Sequence, residues 1–185
     1  MQLESLNDWP QALSARWVPD ADHWFSAFSQ SVQWRCESLQ MYGRSVPVPR
    51  QVAWYGDSGL SYRYSGTDHR AVGWSADAAA LRDWLEDQYQ VPFNFLLLNH
   101  YRCGADHMGW HADDERSLLG DVYAISLGAT RRLLLEPEPG ERFGINLPHG
   151  SVIRIPRHWR HCLAKTAKPV APRINLSFRQ IETGL

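Results

Sequence analysis

A histidine and a carboxylate are separated by one residue in the tripeptide His111-Ala112-Asp113. In an extended segment, residues i and i+2 project to the same face, so both side chains can approach one metal ion. A second histidine would come from elsewhere, and His149, His158 and His161 lie downstream. Two histidines and one carboxylate suit a non-haem Fe(II) centre with open coordination positions. The tripeptide alone is weak evidence, because an exposed histidine beside a solvated aspartate is the usual explanation.

Polar and apolar residues alternate along segment 173–179, near the carboxyl end of the chain. A half-solvated strand explains such alternation, but it does not predict two arginines framing two hydrogen-bonding side chains on one face. Guanidinium groups pair bidentately with carboxylates, so this face suits a dicarboxylate ligand. Asn99 and Tyr101 show the same i, i+2 spacing and could add hydrogen bonds. The polar positions are Arg173, Asn175, Ser177 and Arg179.

The elements that must position these residues change in type along the chain. Residues 76–90 have the apolar spacing of an amphipathic helix, and Phe25, Phe28 and Val32 indicate an earlier one. Residues 41–70 predict short strands and loops of the kind that cover a binding site. From residue 92 onward the pattern favours strands, with Phe93, Phe95 and Phe143 in the core. The predicted strands are 93–101, 122–128, 131–136, 151–155 and 173–180. Helices followed by many strands indicate an α+β fold with a β-sandwich or barrel.

Composition sets broad limits. The 185 residues predict a single domain, and 44% hydrophobic with 21% charged residues is typical of a globular protein. No apolar run approaches membrane-spanning length and no signal peptide is evident, so we expect a cytoplasmic protein without a membrane partner. Three cysteines without C-x-x-C spacing argue against a disulfide scaffold. Only two of nineteen basic residues are lysine, which is consistent with phosphate binding by arginine or with codon bias.

In the order and spacing of these residues, the sequence resembles the AlkB family of 2-oxoglutarate/Fe(II)-dependent dioxygenases. The match covers roughly residues 17–181 and looks closest to the DNA-repair branch. The motifs that carry it are Asn99-x-Tyr101, His111-x-Asp113-Asp114-Glu115, His161 and Arg173-x-Asn175-x-Ser177-x-Arg179. Further matching segments are Met41-Tyr42-Gly43-Arg44, Pro49-Arg50, Tyr55-Gly56-Asp57 and Tyr62-Arg63-Tyr64-Ser65-Gly66.

The resemblance implies a double-stranded β-helix (jelly roll) core with N-terminal helices and a substrate-binding lid. Residues from about 1 to 75 would form the extension and the nucleotide-recognition lid, and residues from about 76 to 185 the helix and catalytic core. The expected activity is oxidative dealkylation of bases such as N1-methyladenine and N3-methylcytosine in DNA. It would use Fe(II), O₂ and 2-oxoglutarate, and would release succinate, CO₂ and an aldehyde.

The resemblance also assigns residue roles. The iron ligands and catalytic residues would be His111, Asp113 and His161, the last because it precedes Arg173 by the family's spacing. Arg173 would bind the distal carboxylate of 2-oxoglutarate, with Arg179 near the carboxylate on iron. The other residues expected at the co-substrate are Asn99, Tyr101, Asn175 and Ser177. The residues expected at the substrate are Tyr42, Gly43, Arg44, Arg50, Tyr62, Tyr64, Asp114 and Glu115. Among these, Tyr64 and His111 would sandwich the damaged base, and Tyr42 would be a finger inserted into the base stack.

Two alternatives remain open at this point. A related enzyme acting on RNA, protein or a small molecule would share the core and differ in the lid. A jelly roll that only binds a ligand belongs to a different class, although the complete ligand set and both arginines argue against it. A monomer that binds alkylated DNA, or RNA, is the expected state.

Overall fold

The computed structural model describes residues 10–41, 44–64, 67–71 and 73–183. A 3₁₀ helix at Gln11–Leu13 is followed by strands and two α-helices. The helices are α1 (Ala21–Ser31) and α2 (Ala76–Tyr89). The strands before α2 are β1 (Arg16–Trp17), β2 (Arg35–Met41), β3 (Arg44–Gly56), β4 (Ser61–Tyr64) and β5 (Thr67–Arg70). Those after α2 are β6 (Phe95–Tyr101), β7 (Met108–His111), β8 (Val122–Gly128), β9 (Arg131–Glu136), β10 (Phe143–Leu147), β11 (Ser151–Ile155), β12 (Arg160–Leu163) and β13 (Arg173–Arg179).

Two antiparallel sheets face each other. The large sheet has the strand order β1-β11-β8-β13-β6-β3-β2, and the small sheet has the order β10-β9-β12-β7. A separate hairpin pairs β4 with β5. This is the α+β jelly roll that the sequence predicts, with the eight strands β6–β13 divided between the two sheets.

The second helix forms where its sequence predicts. Ser75 caps its first turn, because the Ser75 hydroxyl accepts a hydrogen bond from the Ala78 amide at 3.2 Å. The chain leaves the helix at Gln90, in the left-handed conformation, two residues before a proline. Leu81 and Leu85 are buried in the cluster that covers the outer face of the large sheet, together with Phe28 of α1.

The two α-helices cover one face of the large sheet, and its other face points toward the small sheet. Along β13, Ile174, Leu176 and Phe178 lie in the helix-side cluster. The alternate residues, from Arg173 to Arg179, line a pocket between the sheets. The alternation predicted for this strand is confirmed, although both faces are covered and neither is half-solvated.

Among the strands after α2, three escaped prediction, namely β7, β10 and β12. Each has four or five residues and lies in the small sheet, where polar residues interrupt the apolar pattern. Strand β10 contains Gly144, and a Cβ there would lie 2.6 Å from the Arg132 side chain. Strand β3 was expected in the lid, yet it pairs with β6 in the large sheet, so the expected division near residue 75 cuts across that sheet. Among the described residues, neither helix is long and apolar enough to cross a membrane.

Candidate active site

The His–x–Asp tripeptide and one downstream histidine meet between the sheets. His111 ends β7 and is the cross-strand partner of His161 in β12. Asp113 follows two residues later, and one ligand atom from each of the three side chains lies within 4.8 Å of the others. Two imidazoles and one carboxylate at this separation fit Fe(II). Of the other candidates, His149 lies elsewhere, because its Nδ1 accepts the Gly128 amide at 2.8 Å. His158 lies outside the three-residue cluster.

Both histidines are held in the same way. His111 Nδ1 lies 2.9 Å from the Gly109 carbonyl, and His161 Nδ1 lies 3.1 Å from the Trp159 carbonyl. A carbonyl can only accept, so each Nδ1 carries the proton and each Nε2 keeps its lone pair for a metal ion. Burial, and then the neighbouring His161, lower the pKa of His111 to about 4. His111 is therefore neutral at physiological pH, as a metal ligand must be.

Asp113 is the most deeply buried member of the cluster, with 2% of its surface exposed. Burial alone would raise the pKa of its carboxyl group, but Arg179 and the two histidines hold that pKa below its ordinary value. Arg179 Nη2 donates to Asp113 Oδ1 at 3.1 Å, and Asp113 Oδ2 lies 3.8 Å from His161 Nε2. The carboxylate is thus kept ionised and oriented toward the histidines.

Arg173 lies on the same strand as Arg179 and is fully buried. Its Nη2 donates to the Ser126 hydroxyl at 2.8 Å and to Asn175 Oδ1 at 2.9 Å, and its Cζ lies 5.4 Å from the centre of the Tyr101 ring. Burial lowers the pKa of Arg173 to about 10, so it remains charged at neutral pH. Its Nε has no hydrogen-bond partner in the described part of the chain, and no carboxylate there pairs with it. A buried guanidinium with these properties fits a carboxylate ligand such as the distal group of 2-oxoglutarate.

One pocket joins the metal cluster to this arginine and encloses about 530 Å³, part of it open to solvent. Such a volume is ordinary for a small-molecule site. Its remaining wall is apolar and comes from both sheets. The polar lining consists of His111, Asp113, His161, Asn99, Tyr101, Arg173, Asn175, Ser177 and Arg179. All nine residues predicted for iron and co-substrate therefore lie around one cavity.

The residues expected at the substrate are distributed differently. Asp114 is exposed and Glu115 is half-buried. Burial raises the pKa of the Glu115 carboxyl group. Tyr62 is completely buried, with its ring centre 5.0 Å from that of Phe95. The Tyr62 side chain lies in the core beside Glu115, and its assigned role at the base stays a prediction.

Arg50 also differs from expectation. It is buried, and its Nε donates to Asn99 Oδ1 at 2.7 Å, so it supports the co-substrate side of the pocket. Arg44 is exposed at the start of β3, where it pairs with Met41 across the hairpin. Tyr42 and Gly43 lie outside the described residues, and the Tyr64 side chain is not described either. Their assigned roles stay predictions.

Ser126 is a pocket-side residue that the sequence did not reveal. It is buried on β8, faces Asn175 across the strand pair and receives a hydrogen bond from Arg173. The sequence feature that could have indicated Ser126 is a single polar hydroxyl residue in the otherwise largely apolar strand Val122–Gly128. The pairing of β8 with β13 brings that hydroxyl to Arg173, and this pairing cannot be read from the local sequence.

Comparison with known proteins decides the family. The model of the 2OG-Fe(II) oxygenase superfamily matches residues 9–179. The chain belongs to this superfamily. Human DNA oxidative demethylase ALKBH2 is 34% identical to this oxygenase. The alignment covers 88% of the present chain and 69% of the length of ALKBH2. Human alpha-ketoglutarate-dependent dioxygenase alkB homolog 3 is 31% identical over 89% of the chain and 63% of the relative. The oxygenase thus spans about two thirds of the length of these relatives, and the AlkB resemblance is confirmed.

Solved structures support the fold. The structure of OsALKBH1 superposes with a TM-score of 0.62 at 15% identity, covering 86% of this oxygenase and 91% of that chain. An oxidoreductase of the 2OG-Fe(II) oxygenase family from Burkholderia pseudomallei superposes with a TM-score of 0.55 at 11% identity, covering 89% and 92%. The superfamily works with Fe(II), 2-oxoglutarate and O₂, and these are the cofactor and co-substrates of this oxygenase.

Proposed function

We propose that this oxygenase removes alkyl groups from the bases of DNA by oxidation. The observation that carries the proposal is the single pocket in which His111, Asp113 and His161 lie beside the fully buried Arg173. Relatives named as DNA oxidative demethylases match most of the chain, which supports alkylated DNA as the substrate. A monomer remains the expectation from chain size.

The three clustered side chains would hold the iron, and Arg173 would bind the distal carboxylate of 2-oxoglutarate. When bound, iron and 2-oxoglutarate supply with O₂ the oxidising chemistry that hydroxylates the alkyl carbon on a base nitrogen, yielding succinate, CO₂ and an aldehyde. Ser126 and Asn175 both accept hydrogen bonds from Arg173 Nη2, so the position of the guanidinium is set before any ligand binds. Arg179 orients the Asp113 carboxylate in the same way.

The apolar wall of the pocket serves the chemistry by excluding water. Leu133, Leu147 and Ile153 are among the apolar residues that line it. Their exclusion of solvent strengthens the attraction between Arg173 and a bound carboxylate, since charges interact more strongly at low dielectric. It also keeps a reactive site away from bulk water.

The substrate preference follows from charge and access. A base buried in a duplex cannot reach this pocket, so it must be flipped out or already single-stranded, and a lesion that weakens pairing lowers that cost. N1-methyladenine and N3-methylcytosine are such lesions, and both carry a positive charge. Asp114 and Glu115, beside the Asp113 ligand, would favour a cationic base over a neutral one.

The proposed function is tested by the ratio of the two products, succinate and formaldehyde. A single-stranded DNA oligonucleotide with one N1-methyladenine is incubated with the iron-loaded protein, 2-oxoglutarate and ascorbate, and succinate and formaldehyde are quantified. We expect equal amounts of both products, and little succinate with the unmethylated oligonucleotide. Matched RNA, peptide and free-nucleoside arms are run in parallel. Coupled formaldehyde release only from one of those arms would contradict the assignment to DNA.

A further inference from the structure

A second concave surface, separate from the pocket, lies at the free edge of β3. We call it the β3-edge groove and define it by Gln33, Arg35, Trp54, Tyr55 and Arg70, which line a cavity of about 890 Å³ that is open to solvent. It lies between the end of α1, the start of β2 and the β4–β5 hairpin. Its lining combines two cations with two aromatic rings and includes no carboxylate.

The groove exists because β2 is shorter than β3. The last β2–β3 pair in this direction is Arg35 with Val52, whereas β3 continues beside β6 as far as Gly56. Within the described residues, the backbone of residues 53–55 therefore has a strand partner on one side only. An unpaired strand edge exposes amide donors that can bind an extended ligand.

The position of Arg35 is fixed by an aromatic platform. Its Cζ lies 4.6 Å from the centre of the Trp54 ring. Trp54 is itself held, because its Nε1 donates to the Arg70 carbonyl at 3.1 Å and its ring meets His69 edge to face at 4.5 Å. Stacking of this kind leaves the guanidinium edge pointing outward with its donors available.

Neither cation of the groove has a carboxylate bound directly to it in the part of the chain that the structure describes. Arg35 and Arg70 are exposed, and in the described part of the chain neither forms an ion pair with a carboxylate. Glu37, the acid nearest to Arg35 in sequence, is bound to His69 at 2.9 Å, and its pKa is lowered first by His69 and also by Arg50 and Arg35. The described residues that line the groove therefore carry two positive charges and no negative charge.

Other arginine–tryptophan contacts in the molecule differ in this respect. Arg82 lies over Trp74 at 4.7 Å, but Asp83 binds its guanidinium at 2.7 Å. The two arginines over Trp110, Arg142 and Arg160, both bind Glu136. Each of those three guanidinium groups has a carboxylate partner, whereas Arg35 over Trp54 has none in the described part of the chain.

The groove adjoins the active-site pocket. Trp54 is the cross-strand partner of Leu97, and Leu97 lines the pocket. Both side chains, together with Tyr62, belong to one hydrophobic cluster. Neighbouring strands are only about 5 Å apart, so a polymer whose flipped unit enters the pocket would have its next units close to the groove.

We propose that the β3-edge groove binds the nucleic-acid strand that flanks the flipped nucleotide, with Arg35 and Arg70 on its phosphodiester groups. Guanidinium groups bind phosphate bidentately, and aromatic walls accommodate bases without regard to sequence. The inference rests on the proposed function, because it presumes a nucleic-acid substrate. It also gives part of the arginine excess a role in phosphate binding.

The test measures binding and not turnover. The protein is loaded with iron and 2-oxoglutarate under anaerobic conditions, and the Kd for a fluorescein-labelled 15-nucleotide DNA strand is measured from low to moderate salt. The double variant Arg35→Gln/Arg70→Gln should bind roughly tenfold more weakly at low salt, and its log Kd–log salt slope should fall by about 1.4, since each contact to single-stranded phosphate contributes about 0.7. Arg82→Gln/Arg132→Gln, which removes two charges elsewhere, should stay within about twofold of wild type.

A charge-preserving variant separates binding from folding. Arg35→Lys/Arg70→Lys should recover most of the lost affinity, and thermal unfolding should show that all variants are folded. An unchanged Kd and slope in Arg35→Gln/Arg70→Gln, or an equal loss in the lysine variant, would overturn the groove assignment. If the wild type fails to dealkylate any oligonucleotide, the proposed function fails separately, because this assay contains no reaction.

Discussion

Arg179 Nη2 lies 3.1 Å from Asp113 Oδ1, and each of these two side chains is only 3% exposed. The contact connects the last residue of β13 in the large sheet to a carboxylate that follows β7 in the small sheet. It therefore fixes one candidate metal ligand from the opposite side of the jelly roll. Groups that orient a metal ligand in this way commonly influence metal affinity as much as activity.

The first prediction concerns this contact. Arg179→Gln should weaken binding of Fe(II) by roughly tenfold or more, because the Asp113 carboxylate loses its orienting partner. The measurement is anaerobic competition with a chelator in the absence of 2-oxoglutarate, so that effects on the co-substrate do not contribute. Arg179→Lys keeps the charge and should retain much of the affinity. Equal metal affinity in wild type and Arg179→Gln would mean that Asp113 is oriented by other groups.

The second prediction concerns the co-substrate. Arg173→Met should raise the apparent KM for 2-oxoglutarate roughly 30-fold or more, since removing one partner of a buried charge pair costs about 2 kcal/mol or more. Arg132→Met, an exposed change on β9, is the matched control and should leave KM near the wild-type value. Calorimetric titration with 2-oxoglutarate checks the same effect without turnover. If KM is unaffected by Arg173→Met, a different cation holds the co-substrate.

The third prediction concerns pH and stability. His69 Nε2 donates to Glu37 Oε1 at 2.9 Å, and this hydrogen bond holds the pKa of Glu37 below its ordinary value of 4.5. A lowered carboxyl pKa stabilises the folded state above the unfolded pKa, and the contribution is lost as the pH falls through the folded pKa. Glu37→Gln should therefore cost about 1 kcal/mol at pH 7, and the difference from wild type should shrink below about pH 4.5.

Urea unfolding at several pH values measures this difference. The exposed Glu138→Gln removes the same charge and should stay within about 0.5 kcal/mol of wild type. A Glu37→Gln deficit that is equally large at pH 7 and at acid pH would show that the carboxylate charge is not what stabilises the contact.

The sequence predicted the site correctly where functional side chains lie close together along one strand and share a face. The alternation from Arg173 to Arg179 predicts which side chains share a face, because a strand has a period of two residues. The same rule brings His111 and Asp113 to one side. His161 could not be chosen over His149 and His158 from local pattern, and the resemblance to a family was needed. The structure brings His161 to the cluster through its cross-strand pairing with His111.

Local patterns did not reveal partners that are distant in sequence. Arg50 was assigned to the nucleic acid, but its hydrogen-bond partner Asn99 lies 49 residues away on the neighbouring strand. Tyr62 was expected at the base, but Phe95 and Arg179 from two other strands enclose its ring. Strand β12 is four residues long and supplies His161, yet no periodicity marks it. Such placements depend on sheet order, which local patterns do not encode.

Mass spectrometry of a DNA oligonucleotide with a single N1-methyladenine tests most directly whether this pocket performs oxidative dealkylation. The wild-type protein is compared with His161→Ala, and each is incubated with Fe(II), 2-oxoglutarate and ascorbate or with one of these left out. We expect the oligonucleotide to lose the mass of the methyl modification only with the wild-type protein, and only when iron and 2-oxoglutarate are both present. Retention of the methyl group in the complete wild-type reaction, or its loss with His161→Ala, would contradict the account.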